Sequence, residues 1–267
     1  MYYPSINEAW LGTLNQILTT GDLVEVRGTR SLEIIGHSVE FPMGQSILTI
    51  KDRVINRDFM FREAWWILSG QNRLDLLETH APSYSKFSDD GIRLSGAYGP
   101  KIVDQIRFVV DTLKHDPYSR QAVINIWREN PRPSKDIPCT LSVQFLIRDG
   151  YIHTVVNMRS NDVWLGMPYD VFSFTMLTCQ VALELSGDLQ LGMMFHHAGS
   201  RHIYFKDSDK AKSSVTSNIS VQFDQTNYIC LKQIKSVISS TGFFHQILHD
   251  RSVHRLPQLP KLLTWLQ

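Results

Sequence analysis

Two short stretches of the chain carry residue types and spacings that could do chemistry. The first is Asp136-Ile137-Pro138-Cys139-Thr140, a cysteine placed just ahead of a stretch that reads as a strand. A cysteine thiolate is a good nucleophile, but a cysteine in that position also serves as a small buried hydrophobe, and residue type alone leaves both readings open. The second stretch is Arg159-Ser160-Asn161-Asp162-Val163-Trp164-Leu165-Gly166-Met167-Pro168-Tyr169-Asp170. An arginine beside a serine, with a glycine turn and two carboxylates following, suits an oxyanion site. The guanidinium fork binds a phosphate through two parallel bonds and the hydroxyl adds a donor. A polar loop with a surface ion pair would show the same residues.

The elements that must hold these stretches follow from hydrophobic periodicity. Residues 7–18 place Ala9, Leu11, Leu14, Ile17 and Leu18 on one side of a helix. Residues 24–36 are rich in β-branched side chains and interrupted by Gly28, which predicts two short strands around a loop bearing Arg27 and Arg30. Residues 59–68 are apolar and aromatic with Arg62 and Glu63 inside, a mostly buried helix. A further helix spans 102–113 and stops before Asp116-Pro117; strands follow at 121–127, 141–147 and 152–158. The long apolar run 171–185 reads as the central helix of the core. Helices and strands alternate irregularly, so the fold class is α+β and the chain is expected to form a single domain over residues 1–267.

Composition narrows the function classes. Of 267 residues 43% are hydrophobic, enough for a sizeable core, and 27 basic against 26 acidic residues leave a net charge of +1. That balance argues against a nucleic-acid polymer as partner, though not against a single phosphate in a local arginine pocket. Cys139, Cys179 and Cys230 lack the spacing of a disulfide framework or a metal site, so no metal is expected, and a reducing, cytoplasmic location is. The sequence shows no leader-like segment and no apolar run long enough to span a membrane.

The two stretches, in this order and spacing, resemble the thymidylate synthase family, which includes the pyrimidine-nucleotide hydroxymethylases. Matching positions run from the N-terminal helix to His202-Ile203-Tyr204. The run Val155-Val156-Asn157-Met158-Arg159-Ser160-Asn161-Asp162-Val163, with Val143-Gln144 and Leu146-Ile147-Arg148-Asp149 upstream, looks especially like the deoxycytidylate hydroxymethylases of bacterial viruses. The resemblance implies a mixed sheet packed with helices and a homodimer formed across the sheet. It implies that Cys139 attacks C6 of a pyrimidine, with a nearby cation lowering the thiol pKa, and that 5,10-methylenetetrahydrofolate is the co-substrate. Arg159 and Ser160 would hold the nucleotide phosphate, Arg120 would reach it from the partner subunit, and Arg27 or Arg30 would add another contact. Gln121 stands where the family usually has a second arginine. Glu63 would move protons through water near C4 and C5, its pKa raised by apolar surroundings. Tyr98 would order that water, His202 and Tyr204 would hold the sugar hydroxyl, and Asp162 and Gly166 would lie at the pterin of the folate.

Two departures bear on the substrate and the product. Asp170 stands where thymidylate synthases carry an asparagine that matches uracil. Cytosine presents an acceptor at N3 and a donor at the 4-amino group, the opposite of uracil, so Asp170 points to a cytosine nucleotide. The segment that should bring tryptophans over the folate reads Tyr84-Ser85-Lys86-Phe87, and residues 261–267 do not match the synthase tail; Thr140 replaces the histidine beside the nucleophile. A lid formed by Tyr84 and Phe87 would admit water, which favours a hydroxymethyl product. The expectation is therefore a dCMP 5-hydroxymethyltransferase. The alternatives are a CMP hydroxymethylase, a dCMP methyltransferase, thymidylate synthase acting on dUMP, and a non-catalytic nucleotide- or RNA-binding relative.

Overall fold

A computed structural model describes residues 1–185 and 187–217 together with Ile229 and Leu231. Cys230 and the tail at 261–267 lie outside the described residues. Among the described residues six strands pair into one sheet: β1 (Asp22–Val26), β2 (Thr29–Pro42), β3 (Val123–Asn125), β4 (Thr140–Arg148), β5 (Tyr151–Asp162) and β6 (Gln190–Tyr204). Their order is β1-β2-β6-β5-β4-β3. Neighbours are antiparallel except β5 and β6, which run parallel. A parallel pair needs a crossover, and helix α5 (Met167–Glu184) supplies it. Fourteen of its 18 residues are buried, so it packs on all sides as the central helix of an α+β fold.

The other helices are α1 (Ile6–Thr20), α2 (Arg57–Leu68), the short α3 (Asp75–Glu78), α4 (Gly99–His115) and α6 (Ser208–Ser217). Ser5 caps α1 by accepting from Asn7 N, and the face Ile6, Ala9, Trp10, Thr13, Leu14, Ile17 is buried. Trp10 Nε1 donates to Val163 O at 2.7 Å, which pins the turn leaving β5. Asn56 caps α2 by accepting from Phe59 N, and Phe61 of α2 meets Phe172 of α5 edge-on at 5.1 Å. Thr154 of β5 and Thr178 of α5 share a 2.6 Å hydrogen bond, fixing the helix to the inner face of the sheet. Among the described residues no helix is long and apolar enough to cross a membrane.

Two features differ from the periodicity reading in ways that shape the site. Helix α5 begins at Met167 rather than at 171, because Pro168 suits a first helical turn, and this puts Asp170 in that turn. The stretch starting at Arg159 is not one loop: its first four residues end β5, and Val163 to Gly166 form the turn into α5. Strand β6, which periodicity did not single out, supplies the sheet's second central strand. The strand expected at 121–127 shortens to three edge residues, whereas β2 extends well past Gly36.

The sheet kinks next to the site. On β5 the buried side moves from Met158 to Asn161, and on β6 from Ala198 to Arg201, a spacing of three instead of two in both. Glycines permit this bend. Gly36 of β2 takes φ +66°, and a Cβ on Gly199 would lie 3.0 Å from Arg159 O. Asn161 and Arg201, direct partners in the β5–β6 register, thereby turn inward.

Candidate active site

Cys139 immediately precedes β4, and Arg159 of β5 clasps the segment that carries it. Arg159 N donates to Cys139 O at 2.8 Å, Nε to Pro138 O at 2.9 Å and Nη2 to Ile137 O at 2.9 Å. The same Nη2 lies 3.8 Å from Cys139 Sγ. Asp136 joins this segment to the one bearing Tyr98: its Oδ2 accepts from Gly96 N at 2.6 Å, and a Cβ at Gly96 would sit 2.8 Å from Asp136 Oδ1. The cation is where it was expected, but its effect on the thiol is outweighed. Burial pushes the Cys139 thiol pKa up, Arg159 and Arg27 pull it down, and Asp170 and Asp136 add to the rise. The thiol therefore rests protonated, and its proton must leave as sulfur attacks.

Three carboxyls lie near one another, each half-buried, with the charges of Glu63 and Asp162 both acting on Asp170. Glu63, inside the apolar α2, is pushed up to about 7 by burial, against a hydrogen bond from Tyr84 that favours the carboxylate. That bond, Tyr84 Oη to Glu63 Oε1 at 2.7 Å, was not foreseen; Tyr84 was expected only as part of a lid over the folate. Tyr84 also stands 5.9 Å from Phe59 and 6.3 Å from Phe87, ring to ring, and Phe87 is 47% exposed at the rim. Asp170 is pushed up to about 8, first by burial, then by the Glu63 charge, with Arg201 opposing. Its Oδ2 accepts from Asn161 Nδ2 at 2.9 Å. Gly166 leaves space beside it, since a Cβ there would come within 3.3 Å of Asp170 Oδ2. Asp162 caps the turn, its Oδ1 accepting from Trp164 N at 2.8 Å and Leu165 N at 2.9 Å. Its Oδ2 is buried without a partner among the described residues, and burial raises its pKa to about 6. Tyr98, its ring 6.4 Å from that of Phe174, is held as a neutral phenol by burial.

The remaining expected residues divide. Ser160, His202 and Tyr204 are half-buried at the ends of β5 and β6, where Asp162 pairs with His202 in the strand register. The His202 and Tyr204 rings are 5.4 Å apart, and burial lowers the His202 pKa, so its imidazole is neutral. Arg27 and Gly28 form the two-residue hairpin turn between β1 and β2, both at positive φ (52° and 73°), as a type I′ turn requires. The Arg27 charge acts on both Cys139 and Tyr204, whereas the Arg30 guanidinium lies 4.7 Å from the centre of the Phe205 ring. Arg120 stands apart from this group within one chain: it is exposed on the turn before β3, its carbonyl oxygen accepting from Gln144 Nε2 at 2.8 Å. Asn161 and Arg201 escaped the sequence reading. An arginine in a strand looks like any solvated charge until the kink shows it facing inward.

The arrangement joins a thiol held by an arginine, a protonated carboxyl at the mouth of a buried helix, a second carboxyl of raised pKa, and a cluster of hydroxyl, imidazole and guanidinium groups. Such a site can add sulfur to an electrophilic ring, exchange protons with it, and hold an anionic substituent at a distance from the thiol. Residues 8–240 match the family model described as Thymidylate synthase, a span that contains every one of these groups. The chain belongs to the thymidylate synthase family, whose chemistry is folate-dependent transfer of a one-carbon unit to a pyrimidine nucleotide.

Proposed function

We propose that the protein is a deoxycytidylate 5-hydroxymethyltransferase that uses 5,10-methylenetetrahydrofolate. The observation that carries this reading is the Asp170 carboxyl, whose pKa of about 8 keeps its proton at neutral pH. A carboxylic acid can donate to cytosine N3 through one oxygen while the other accepts from the 4-amino group. It can also pass its proton to N3 as negative charge builds there, which an asparagine amide cannot do.

The residues then divide the work as follows. Cys139 Sγ bonds to C6 and its thiol proton departs, while the Asp170 proton moves to N3. C5 becomes a carbon nucleophile and takes the one-carbon unit from the folate. The C5 proton leaves through water ordered by Tyr98 and Glu63, whose pKa of about 7 suits transfer in either direction. Once tetrahydrofolate departs, water adds to the exocyclic methylene, the C6–S bond breaks as N3 returns its proton to Asp170, and the leaving sulfur takes up a proton to restore the thiol. Net, dCMP, methylenetetrahydrofolate and water become 5-hydroxymethyl-dCMP and tetrahydrofolate. The Tyr84–Glu63 bond supports capture by water, because it holds a phenol hydroxyl on the segment where the synthases have tryptophans.

Binding roles follow the same geometry. Arg159, Ser160 and Arg27 hold the phosphate; Arg27 is favoured over Arg30 because its charge reaches Cys139 while Arg30 is stacked on Phe205. His202 and Tyr204 take the sugar hydroxyl. The unpartnered Asp162 Oδ2 suits the N–H donors of a pterin, with Gly166, Tyr84 and Phe87 alongside. A homodimer across the outer face of the sheet would bring Arg120 to the partner's phosphate. Half-buried polar residues form a row there, with Ser38 opposite His197, His197 beside Asn157, and Asn157 opposite Ser142. His197 Nδ1 and Ser38 Oγ are 2.7 Å apart, and Ile35 on the same strand as Ser38 is 79% exposed in the single chain.

Product analysis by mass spectrometry tests the proposal, with the protein, methylenetetrahydrofolate and each of dCMP, CMP, dUMP and UMP. The expected product is 5-hydroxymethyl-dCMP, with cytosine favoured over uracil by at least ~10²-fold in kcat/KM, equivalent to ~3 kcal/mol of differential pairing. A methylated uracil nucleotide as main product would overturn it.

A further inference from the structure

Behind Asp170 lies a chain of hydrogen bonds that runs through the interior in one direction. Arg201 Nη2 donates to His196 Nδ1 at 2.9 Å and to His196 O at 3.1 Å. Arg201 Nη1 donates to Asn161 Oδ1 at 2.5 Å, and Asn161 Nδ2 donates to Asp170 Oδ2 at 2.9 Å. Arg201 and His196 are both 0% exposed, and Asn161 is 3% exposed. Among the described residues no carboxylate is hydrogen-bonded to the guanidinium; the acid whose charge acts on it is Asp170, one amide away. Burying a guanidinium without a directly paired carboxylate is costly, and the kink in β5 and β6 exists at the point where it is buried.

The chemistry of each member fixes the direction. A guanidinium has donors and no acceptor, so Asn161 must turn its carbonyl oxygen toward Arg201 and its NH₂ toward Asp170. His196 stays neutral, because burial and the adjacent Arg201 charge oppose its protonation, and Nδ1 is thereby free to accept. Asp170 Oδ2 is therefore held as an acceptor, and the proton of the neutral acid belongs on Oδ1. A carboxylic acid free to choose which oxygen carries the proton would match uracil as well as cytosine. One whose polarity is fixed from behind matches one base.

We propose that Arg201 is a positioning residue for base selection: through Asn161 it fixes which Asp170 oxygen donates, and its charge supports the carboxylate formed when the proton passes to N3. The proposal rests on the reading of Asp170 as the carboxyl that faces the base. Other groups also act on Asp170 or feel its charge: Glu63 from α2, Tyr84 and Tyr98 from the segments before α4, Cys139 ahead of β4, and Asp162 at the end of β5. Burial and the Glu63 and Asp162 charges raise the Asp170 pKa, and Arg201 lowers it.

The test compares wild type, Arg201→Met, Arg201→Lys and Asn161→Ser, with folding checked by circular dichroism. Two quantities are read: the dCMP to dUMP ratio of kcat/KM, and the titration of Asp170 by ¹³C NMR of aspartate-labelled protein, its signal assigned by its loss in Asp170→Asn. Arg201→Met should lower the ratio by about tenfold or more and move the Asp170 titration upward by about one pH unit, since tenfold corresponds to one unit. Asn161→Ser should lower the ratio too, and Arg201→Lys should keep most of it, because an ammonium still donates to Asn161. A purely structural Arg201 would lower kcat for both bases alike and leave the Asp170 titration in place, which would overturn the proposal. Should the variants fail to fold, the wild-type protein still decides. The Asn161 side-chain N–H signals must shift with the Asp170 titration, and their indifference to it would overturn the relay. A wild type that prefers dUMP would instead remove the reading of Asp170 on which the relay rests; a wild type that prefers dCMP, with the ratio unchanged in Arg201→Met, removes the relay alone.

Discussion

Replacing Tyr84 with phenylalanine should change the proton affinity of Glu63 without emptying the space around it. The variant keeps the ring that stands near Phe59 and Phe87 and deletes one hydroxyl, whose donation to Glu63 Oε1 spans 2.7 Å. That donation stabilises the carboxylate, so its loss raises the Glu63 pKa above its present value of about 7. A hydrogen bond to a charged group is worth about 1.5–3 kcal/mol and one pKa unit about 1.4 kcal/mol, which gives a rise of about 1 to 2 units. Water entering the vacated position would hold the rise toward the lower figure. Two measurements read it: ¹³C NMR of labelled glutamate, with the Glu63 signal assigned by its loss in Glu63→Gln, and the pH dependence of kcat for the favoured nucleotide. The limb governed by Glu63 should move upward together with the NMR titration. An unchanged Glu63 titration in a folded Tyr84→Phe variant would refute the reasoning, because burial alone would then set the Glu63 pKa.

Cys139→Ala should abolish turnover while leaving nucleotide binding within a few-fold, and should abolish exchange of tritium from C5 of bound dCMP; a tenth of wild-type turnover remaining would exclude covalent catalysis by Cys139. Mixing Arg120→Ala subunits with Cys139→Ala subunits should restore part of the activity, since one hybrid site has both residues, and no recovery despite proven exchange would remove the shared site. Asp170→Asn should stabilise the ligand-free fold more at pH 8 than at pH 4. The native Asp170 pKa is raised from 3.8 to about 8, so the native state holds a proton that the unfolded chain releases. The wild type is therefore least penalised below about pH 4 and loses stability as pH rises toward 8. Denaturant unfolding should show the gap between the two proteins widening by at least about 1 kcal/mol across that range; a gap independent of pH would contradict the raised pKa.

The groups proposed to react were picked out in the sequence by the family resemblance, since the local patterns around Cys139 and Arg159-Ser160 alone fit a buried cysteine and a polar loop equally well. The central helix was legible from its own pattern, since a long apolar run has few alternatives to burial. What periodicity missed depends on contacts between segments far apart in the chain. The inward turn of Arg201 arises because β5 and β6 skip one residue together, and nothing in either strand alone announces that. The bond from Tyr84 to Glu63 joins residues 21 apart through the packing of α2 against the segment before α4. The raised thiol pKa reflects a contest of magnitudes, burial and two carboxylates against the Arg159 guanidinium at 3.8 Å and the Arg27 charge, that residue types cannot decide.

These unforeseen contacts share one physical theme. The site gathers Glu63, Asp162 and Asp170 where water is scarce, and three ionised carboxylates there would repel one another. The fold resolves the conflict by giving each a different partner. Asp162 is tied to two backbone N–H groups and has the lowest of the three raised values, about 6. Glu63 has one phenol and stands at about 7, and Asp170 has one amide and stands at about 8. The second donor leaves Asp162 lowest and the Glu63 charge lifts Asp170 above Glu63, so that near neutral pH one is mostly ionised, one is poised between states and one is protonated. An acceptor for a pterin donor, a shuttle for the C5 proton and an acid for N3 are the three states the proposed reaction requires, and a change in any one donor should reassign them.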